Sequence, residues 1–373
     1  METRTGILTA DRLDELVGAL RRRGHVVGPV LREGAISYGE IESASDLPRG
    51  WTDRQEAGTY RLERDPRELY FGFTLGAQSW KPYLFPPRLR LWSARRSDDG
   101  SFAARDEAEE APGRVFLGVR PCDLAAIAVQ DRVFLHGPHQ DPDYGRRRER
   151  AFLVAVTCGQ AAATCFCTSM GGGPRAERGF DLALTELSDE RGHRFLVESG
   201  SERGTEVLAE LSAPESAAAD REGAERVAAA AAAQITRRMP AGIAGVLRGG
   251  YAHPRWDEVA SRCLACTNCT LVCPTCFCMA VEDTTDLEGT AHRDRRWDSC
   301  FTAGHSYIHG GSVHASTASR YRQWMTRKLS TWFDQFGTSG CVGCGRCITW
   351  CPAAIDITAE AAAIADTPGG ATC

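Results

Sequence analysis

The sequence predicts an α+β chain in two parts: an N-terminal α/β domain over residues 1–245 and a C-terminal α-helical domain over 246–373. Three observations predict it. Two apolar runs of buried-strand type, Val115–Val119 and Phe152–Thr157, flank a stretch with helical periodicity. Two cysteine runs of identical spacing stand in the last third of the chain. An amphipathic helical pattern lies between those runs.

At the N-terminus, Leu8, Leu13, Leu16, Val17 and Leu20 repeat at helical spacing, so a helix is expected over residues 8–22 with Asp11 as its N-cap. Residues 26–92 mix short apolar segments with Pro and Gly and read as strands and loops. Residues 98–112 are polar and acidic, an expected exposed loop. Val115–Val119 ends at Pro121-Cys122-Asp123, where Asp123 can cap a helix. Leu124, Ile127, Ala128, Val133 and Phe134 then fit one helix face, and Phe152–Thr157 ends at Cys158. Strand, helix and strand over this length predict a short βαβ unit with parallel strands. Residues 206–239 are Ala-rich and helical in composition, broken near Pro214, and the Gly-rich stretch 242–250 marks the domain boundary.

The first cysteine run is Cys263, Cys266, Cys269 and Cys273, followed by Pro274. The second is Cys341, Cys344, Cys347 and Cys351, followed by Pro352. Between them, Met325, Leu329, Trp332, Phe333 and Phe336 share a face of a helix over 322–336, with Gly337 able to cap its end.

Composition narrows the chemistry. Of 373 residues, 43% are hydrophobic and 25% charged, which is ordinary for a globular chain. A net charge of −5 argues against a general nucleic-acid binder. Lys81 and Lys328 are the only lysines. The charged, amphipathic N-terminus has no secretory pattern, and no 18 consecutive apolar residues occur, so a cytoplasmic chain without membrane insertion is expected. There, sixteen cysteines at regular spacing point to metal rather than disulfides. No G-x-G-x-x-G after a strand and no P-loop announce a nucleotide site.

Cys-x2-Cys-x2-Cys-x3-Cys-Pro is the spacing of bacterial two-cluster ferredoxins. Three close cysteines wrap one face of a cubane, and the fourth reaches the other cluster. The runs therefore predict one [4Fe–4S] cluster on Cys263, Cys266, Cys269 and Cys351. They predict a second on Cys341, Cys344, Cys347 and Cys273. Zinc sites usually draw ligands from two separated pairs, a poor fit to two four-cysteine runs. The long spacer favours an α-helical two-cluster ferredoxin domain over the compact βαββαβ kind.

Four more cysteines lie in the N-terminal domain. Cys122 and Cys158 follow the two predicted parallel strands, at the carboxyl ends where open α/β sheets bind ligands. In Cys165-Phe166-Cys167 an extended backbone puts both thiols on one face. Together Cys122, Cys158, Cys165 and Cys167 could hold a third [4Fe–4S] cluster; buried thiols and a zinc site stay open as alternatives. Cys276, Cys278 and Cys300 read as packing around a cluster. His305, His309 and His314 read as hydrogen-bonding loop residues rather than ligands. Gly171–Pro174 could cradle an anion. Arg146–Arg148 reads as a solvated face, and Cys373 as a free terminal thiol.

Several stretches resemble a known family. In the N-terminal domain they are Gly118-Val-Arg-Pro-Cys-Asp123, Cys165-Phe-Cys-Thr-Ser-Met170 and Gly179-Phe-Asp-Leu-Ala-Leu-Thr185. In the C-terminal domain they are the two runs, Trp297-Asp-Ser-Cys300 and Arg320-Tyr-Arg-Gln-Trp324. They resemble the β subunit of cytosolic NAD(P)-linked nickel–iron hydrogenases, the sulfhydrogenases. The A subunit of anaerobic sulfite reductase is close to it, and the motifs do not separate the two branches. The likeness covers about Leu69 to Thr358. It implies an electron-relay subunit, not catalytic alone, working with a flavin/NAD(P) subunit and a hydrogenase subunit. The alternatives are a sulfite or polysulfide reductase relay and, in a different class, a self-contained iron–sulfur oxidoreductase. No catalytic residue is assigned. A redox-sensing regulator is disfavoured, since no DNA-binding motif is present.

Overall fold

The core of the chain is a mixed sheet whose middle strands run parallel. The computed structural model describes residues 4–74, 76–97, 99–106 and 112–366. In chain order the strands are β1 (Thr5–Thr9), β2 (His25–Arg32), β3 (Ala35–Glu40), β4 (Trp51–Glu56), β5 (Thr59–Arg64), β6 (Arg88–Arg96), β7 (Phe102–Asp106), β8 (Arg114–Val119), β9 (Ala151–Val156), β10 (Leu182–Asp189), β11 (Gly192–Ser199), β12 (Met279–Thr285) and β13 (Thr290–Trp297). The principal sheet has the order β1-β11-β10-β9-β8-β2-β3. β2, β8, β9 and β10 pair parallel, and antiparallel strands close both edges.

Alternation along the central strands feeds two cores. Val115, Leu117, Phe152, Val154 and Val156 join one apolar cluster, whereas Phe116, Val119, Leu153 and Ala155 join the other. A strand buried on both faces needs this continuous apolar run. The first face is covered by α1 (Leu13–Arg21), which brings Leu13, Leu16, Val17 and Leu20 to the core. Leu8 is not in that helix: it lies in β1, and the helix starts only at Leu13 without a side-chain cap from Asp11. Leu8 shares the buried side with the helix, so spacing alone could not tell them apart. After the short α2 (Lys81–Leu84), α3 (Pro121–Phe134) begins the connection from β8 to the parallel β9. Asp123 does not cap it. The helix begins at Pro121, and Asp123 is buried one turn in. Ala126 and Val129 face a second apolar cluster, while Ala128 is exposed, so α3 is sandwiched rather than one-faced.

Then come α4 (Pro142–Glu149), α5 (Glu202–Glu210) and α6 (Ala218–Ala233), the last two realising the Ala-rich helical stretch. The remaining helices are α7 (Ile243–Gly249), α8 (Arg255–Arg262), α9 (Asn268–Leu271), α10 (Thr317–Thr326), α11 (Trp332–Phe336), α12 (Arg346–Thr349) and α13 (Ile357–Asp366). They enclose an aromatic-rich core of Trp256, Phe301, Tyr321, Trp324 and Met325. A π-helical turn, Arg327–Thr331, joins α10 to α11. The extra residue per turn shifts the phase of the apolar stripe. Met325, Leu329 and Trp332 stay buried, but Phe333 is turned outward, and Lys328 is turned in.

The spacer between the cysteine runs does not begin with a helix. β12 and β13 form a hairpin, and β13 pairs antiparallel with β6, giving the sheet β12-β13-β6-β7. Residues on either side of 245 thus share one sheet. β7 also occupies part of the segment expected to be an exposed loop; residues 98 and 107–111 of that segment, like Cys373, lie outside the described residues. Among the described residues no helix is long and apolar enough to cross a membrane.

The two halves are further locked by an ion pair. Arg346 Nη1 and Nη2 donate to Asp123 Oδ1 and Oδ2 at 2.8 and 2.9 Å, with both residues buried. Removing one partner leaves an uncompensated buried charge. Asp123→Ala is expected to cost about 3–5 kcal/mol, and a paired Asp123→Leu/Arg346→Met change to recover much of that. Urea-unfolding midpoints of the single and double variants check it.

Candidate iron–sulfur centres

The twelve cysteines singled out above line three cavities. Cys263, Cys266, Cys269 and Cys351 line the first, with Tyr321 and Trp324. Cys273, Cys341, Cys344 and Cys347 line the second, with Trp324 and Lys328. Cys122, Cys158, Cys165 and Cys167 line the third, with Arg120 and Arg346. Each cavity holds one of the predicted sets, including the crossed fourth cysteines. Walls are shared as well. Cys347 borders both the first and the second cavity, and Cys344 both the second and the third.

The two runs adopt the same backbone. Ala265 and Thr267 have left-handed φ of 50° and 68°, and Gly343 and Gly345 at the matching places have 70° and 76°. A short helix follows in each, α9 and α12. This turn aims three closely spaced thiols at one space. Asn268 Nδ2 donates to the Trp350 carbonyl at 2.8 Å, tying the first run to the second. Arg255 and Arg262 both pair with the buried Glu360, fixing α8 against α13.

Glycine is needed in the second run for a further reason. A Cβ on Gly343 would lie 2.6 Å from Cys167 Cα, and one on Gly345 would collide with the Thr164 carbonyl. The loop that carries Cys165 and Cys167 is pressed directly onto the run. Phe166 N–H donates to the Gly343 carbonyl at 2.9 Å, and the Phe166 ring is buried in the helical core.

The third set owes its place to the parallel sheet. Cys122 follows β8 and Cys158 follows β9, so both emerge at the same sheet edge. Cys158 N–H donates to the Pro174 carbonyl at 2.8 Å, folding the 158–174 loop back over the cavity. Gly171–Gly173 border an open surface groove with Arg132, Arg175 and Arg178, between Cys122, Cys167 and Cys341.

Burial pushes the thiols of Cys122, Cys158 and Cys165 up, and that of Cys167 to about 12. It likewise raises Cys269, and Cys341 to about 12. A bare thiolate would be costly here, so anionic sulfur requires a metal and nearby cations. The cations are present. Arg120 stands beside Cys158, and Arg346 beside Cys122 and Cys344. Lys328 faces Cys273 and Cys341 and donates to Thr275 Oγ1 at 2.9 Å. Burial would lower its pKa, but the surrounding sulfurs outweigh this and raise it. Lys81, also buried, lies near Cys276 and Cys273 and over the Trp297 ring at 3.9 Å; desolvation lowers its pKa. Both of the chain's lysines therefore serve this region.

The walls also hold unused donors. Tyr321 Oη and Trp324 Nε1 at the first cavity are buried without a partner, and Arg120 at the third is turned toward the Cys158 sulfur. Such donors suit an anionic sulfur-rich group. Among the described residues no three Cys, His, Asp or Glu side chains converge as a single ion requires. The thiols surround voids, an arrangement with room for a polynuclear sulfur-bridged group.

Sequence reasoning did not identify Arg120, Asp123 and Arg346 as site residues, though all three stand within two residues of a predicted ligand. Lys328 carried a faint signal as one of two lysines. Of the loop histidines, His305 is held by Asp298 at 2.6 Å, and none joins a cysteine cavity.

A thiol-lined double turn of this kind, repeated and crossed, defines an iron–sulfur protein. Residues 262–355 match the 4Fe-4S dicluster domain family. Over 362 residues the chain is 31% identical to sulfhydrogenase 2 subunit beta of Pyrococcus furiosus, covering 94% of this chain and 95% of the relative. The chain belongs to the sulfhydrogenase β-subunit family, and it is an iron–sulfur electron-transfer subunit. No solved structure matches it.

Gly343→Ala should force the second run off the Cys167 loop, costing at least ~1–2 kcal/mol for the left-handed backbone alone. Ala265→Gly, at the matching position, should be neutral or stabilising. Thermal unfolding of the two variants, each compared with the parent chain, reads the opposite signs.

Proposed function

We propose that this chain relays single electrons over three [4Fe–4S] clusters within a cytoplasmic nickel–iron hydrogenase complex. One end would face a flavin/NAD(P) subunit and the other the catalytic subunit. The observation that carries this reading is the sharing of walls: Cys347 and Cys344 join the three cavities in one series. Cys263, Cys266, Cys269 and Cys351 hold the first cluster. Cys273, Cys341, Cys344 and Cys347 hold the second, and Cys122, Cys158, Cys165 and Cys167 the third. Bound there, the clusters supply reversible one-electron chemistry.

The chain's own residues do the rest. Phe301, Trp324 and Ile357 wall off the first two sites from water. Lys328, Arg120 and Arg346 offset the negative charge of the sulfur sites. Cys266 is exposed, so the first site lies at the surface where a partner can come close. The role of the P. furiosus relative as a sulfhydrogenase subunit supports a hydrogenase complex for this chain too.

Iron analysis tests the count. About twelve irons per chain are expected, four for each cubane, falling by about four in Cys122→Ser. Close to eight, unchanged in Cys122→Ser, would remove the third cluster. Co-purification tests the complex: a nickel-containing partner is expected, and a sirohaem partner would place the chain in the sulfite reductase branch. Lys328→Met should lower the potential of the middle site by roughly 50–120 mV, since a buried cation beside a redox centre contributes about 1–3 kcal/mol. A redox titration followed by electron paramagnetic resonance reads it.

A further inference from the structure

Two cysteines outside the three cavities sit against each other. Cys278 directly precedes β12, and Cys300 comes three residues after β13. The hairpin register sets Met279 opposite Trp297. Asp298 N–H then donates to the Cys278 carbonyl at 2.9 Å, extending the ladder by one step. The chain turns there, and both the thiol and the backbone N–H of Cys300 donate to the Cys278 sulfur. Cys276 takes no part in this pair, because its thiol contacts Cys273, the ligand assigned to the middle site.

The pair adjoins the first cavity. Thr270, next to Cys269, shares a 2.7 Å hydrogen bond with Ser299, next to Cys300. Phe301, on the other side of Cys300, lines the cavity itself. The pair also reaches towards solvent: both cysteines are half-buried, and Thr302–Gly304 beside them are exposed. His305 stands near Cys278, its Nδ1 held by Asp298 at 2.6 Å. The Cys300 donations and the nearby His305 hold the Cys278 thiol below the ordinary range, as an attacking thiol in sulfur exchange requires.

We propose that Cys278 and Cys300 form a redox-active dithiol that closes to a disulfide and is reopened by electrons carried in this chain. Reduction breaks the S–S bond with two electrons and one proton. It yields the Cys278 thiolate and the Cys300 thiol, the proton coming from water. The electrons arrive singly, and for that reductant the inference rests on the relay reading above. Oxidation runs the same balance in reverse, and the oxidant class is a disulfide-like two-electron acceptor. The pair would thus convert one-electron transfer into sulfur–sulfur bond chemistry beside the first site.

The experiment uses the full chain, loaded with iron and handled without oxygen. One sample is treated with the thiol oxidant diamide, the other with dithionite. Both are alkylated in denaturant and mapped by mass. A peptide cross-linked between Cys278 and Cys300 is expected after diamide and absent after dithionite. Coulometric reduction of the diamide-treated chain should take up about two more electrons in the wild type than in Cys300→Ser, at equal iron and equal visible spectrum. Separate alkylation of both cysteines after diamide, with equal electron uptake, would overturn the proposal. Loss of iron in Cys300→Ser would overturn it too, since that thiol would then be a ligand. A wild-type chain with a full cross-link but no iron would instead strike at the relay reading.

Discussion

Anionic sulfur in a dry interior dictates which residues can surround it. A thiolate stripped of water is expensive unless opposite charge lies close. The chain meets that need with Arg120, Arg346, Lys328 and Lys81, none of them more than 6% exposed. Buried cations create a demand of their own. Asp123 answers it for Arg346, and the carbonyls of Phe71 and Phe73 answer it for Arg120 at 3.1 and 2.7 Å. Because Asp123 follows Cys122 and Arg346 precedes Cys347, the pair that balances charge also clamps one lobe to the other.

The same economy appears in the backbone. The parallel strands β8 and β9 deliver Cys122 and Cys158 to one edge of the sheet, and the 158–174 loop folds over that edge. Gly343 and Gly345 leave room for that loop to touch the second run without intervening side chains. A separate two-cluster module needs no such contact. Here the β12–β13 hairpin crosses back to β6, and the Arg346–Asp123 pair and the Phe166–Gly343 hydrogen bond stitch the helical region to the N-terminal half as well. Metal ligation and folding are coupled in such sites. Unfilled cavities would leave raised thiols facing buried cations, a poor ending for either partner.

Much of this was legible in the residue order, and for a physical reason. The three close thiols of each run share one tight turn, so their spacing shows in the sequence, whereas the fourth cysteine of each cavity and the N-terminal set come together only through the fold. The parallel unit was legible too, because strands buried on both faces show unbroken apolar runs such as Val115–Leu117 and Phe152–Val156. The hairpin was not. β12 has exposed Met279 and Val281, and β13 is charged at Arg293, Asp294, Arg295 and Arg296, so neither shows an apolar face. The pairing of β13 with β6 spans residues 88–95 and 290–296, beyond any local signal. The π-helical turn at Arg327–Thr331 was equally silent, since one inserted residue leaves composition untouched while turning Phe333 out and Lys328 in. Asp123 looked like a helix cap because capping residues and buried ion-pair residues are the same few types.

The order of the cavities follows from these constraints rather than from the cysteine spacing alone. Crossed fourth cysteines tie the first two sites together, as in any two-cluster repeat. What extends the series is Cys344, which borders the second and the third cavity, on a run whose glycines admit the Cys167 loop. The second site is therefore the middle one, and it is also where Lys328 stands. A buried positive charge there would stabilise negative charge held at that site. Placing that charge required turning one residue of an amphipathic helix inward, against its hydrophobic pattern. The local break in the helix and the electrostatics of the middle site are thus a single feature of the fold.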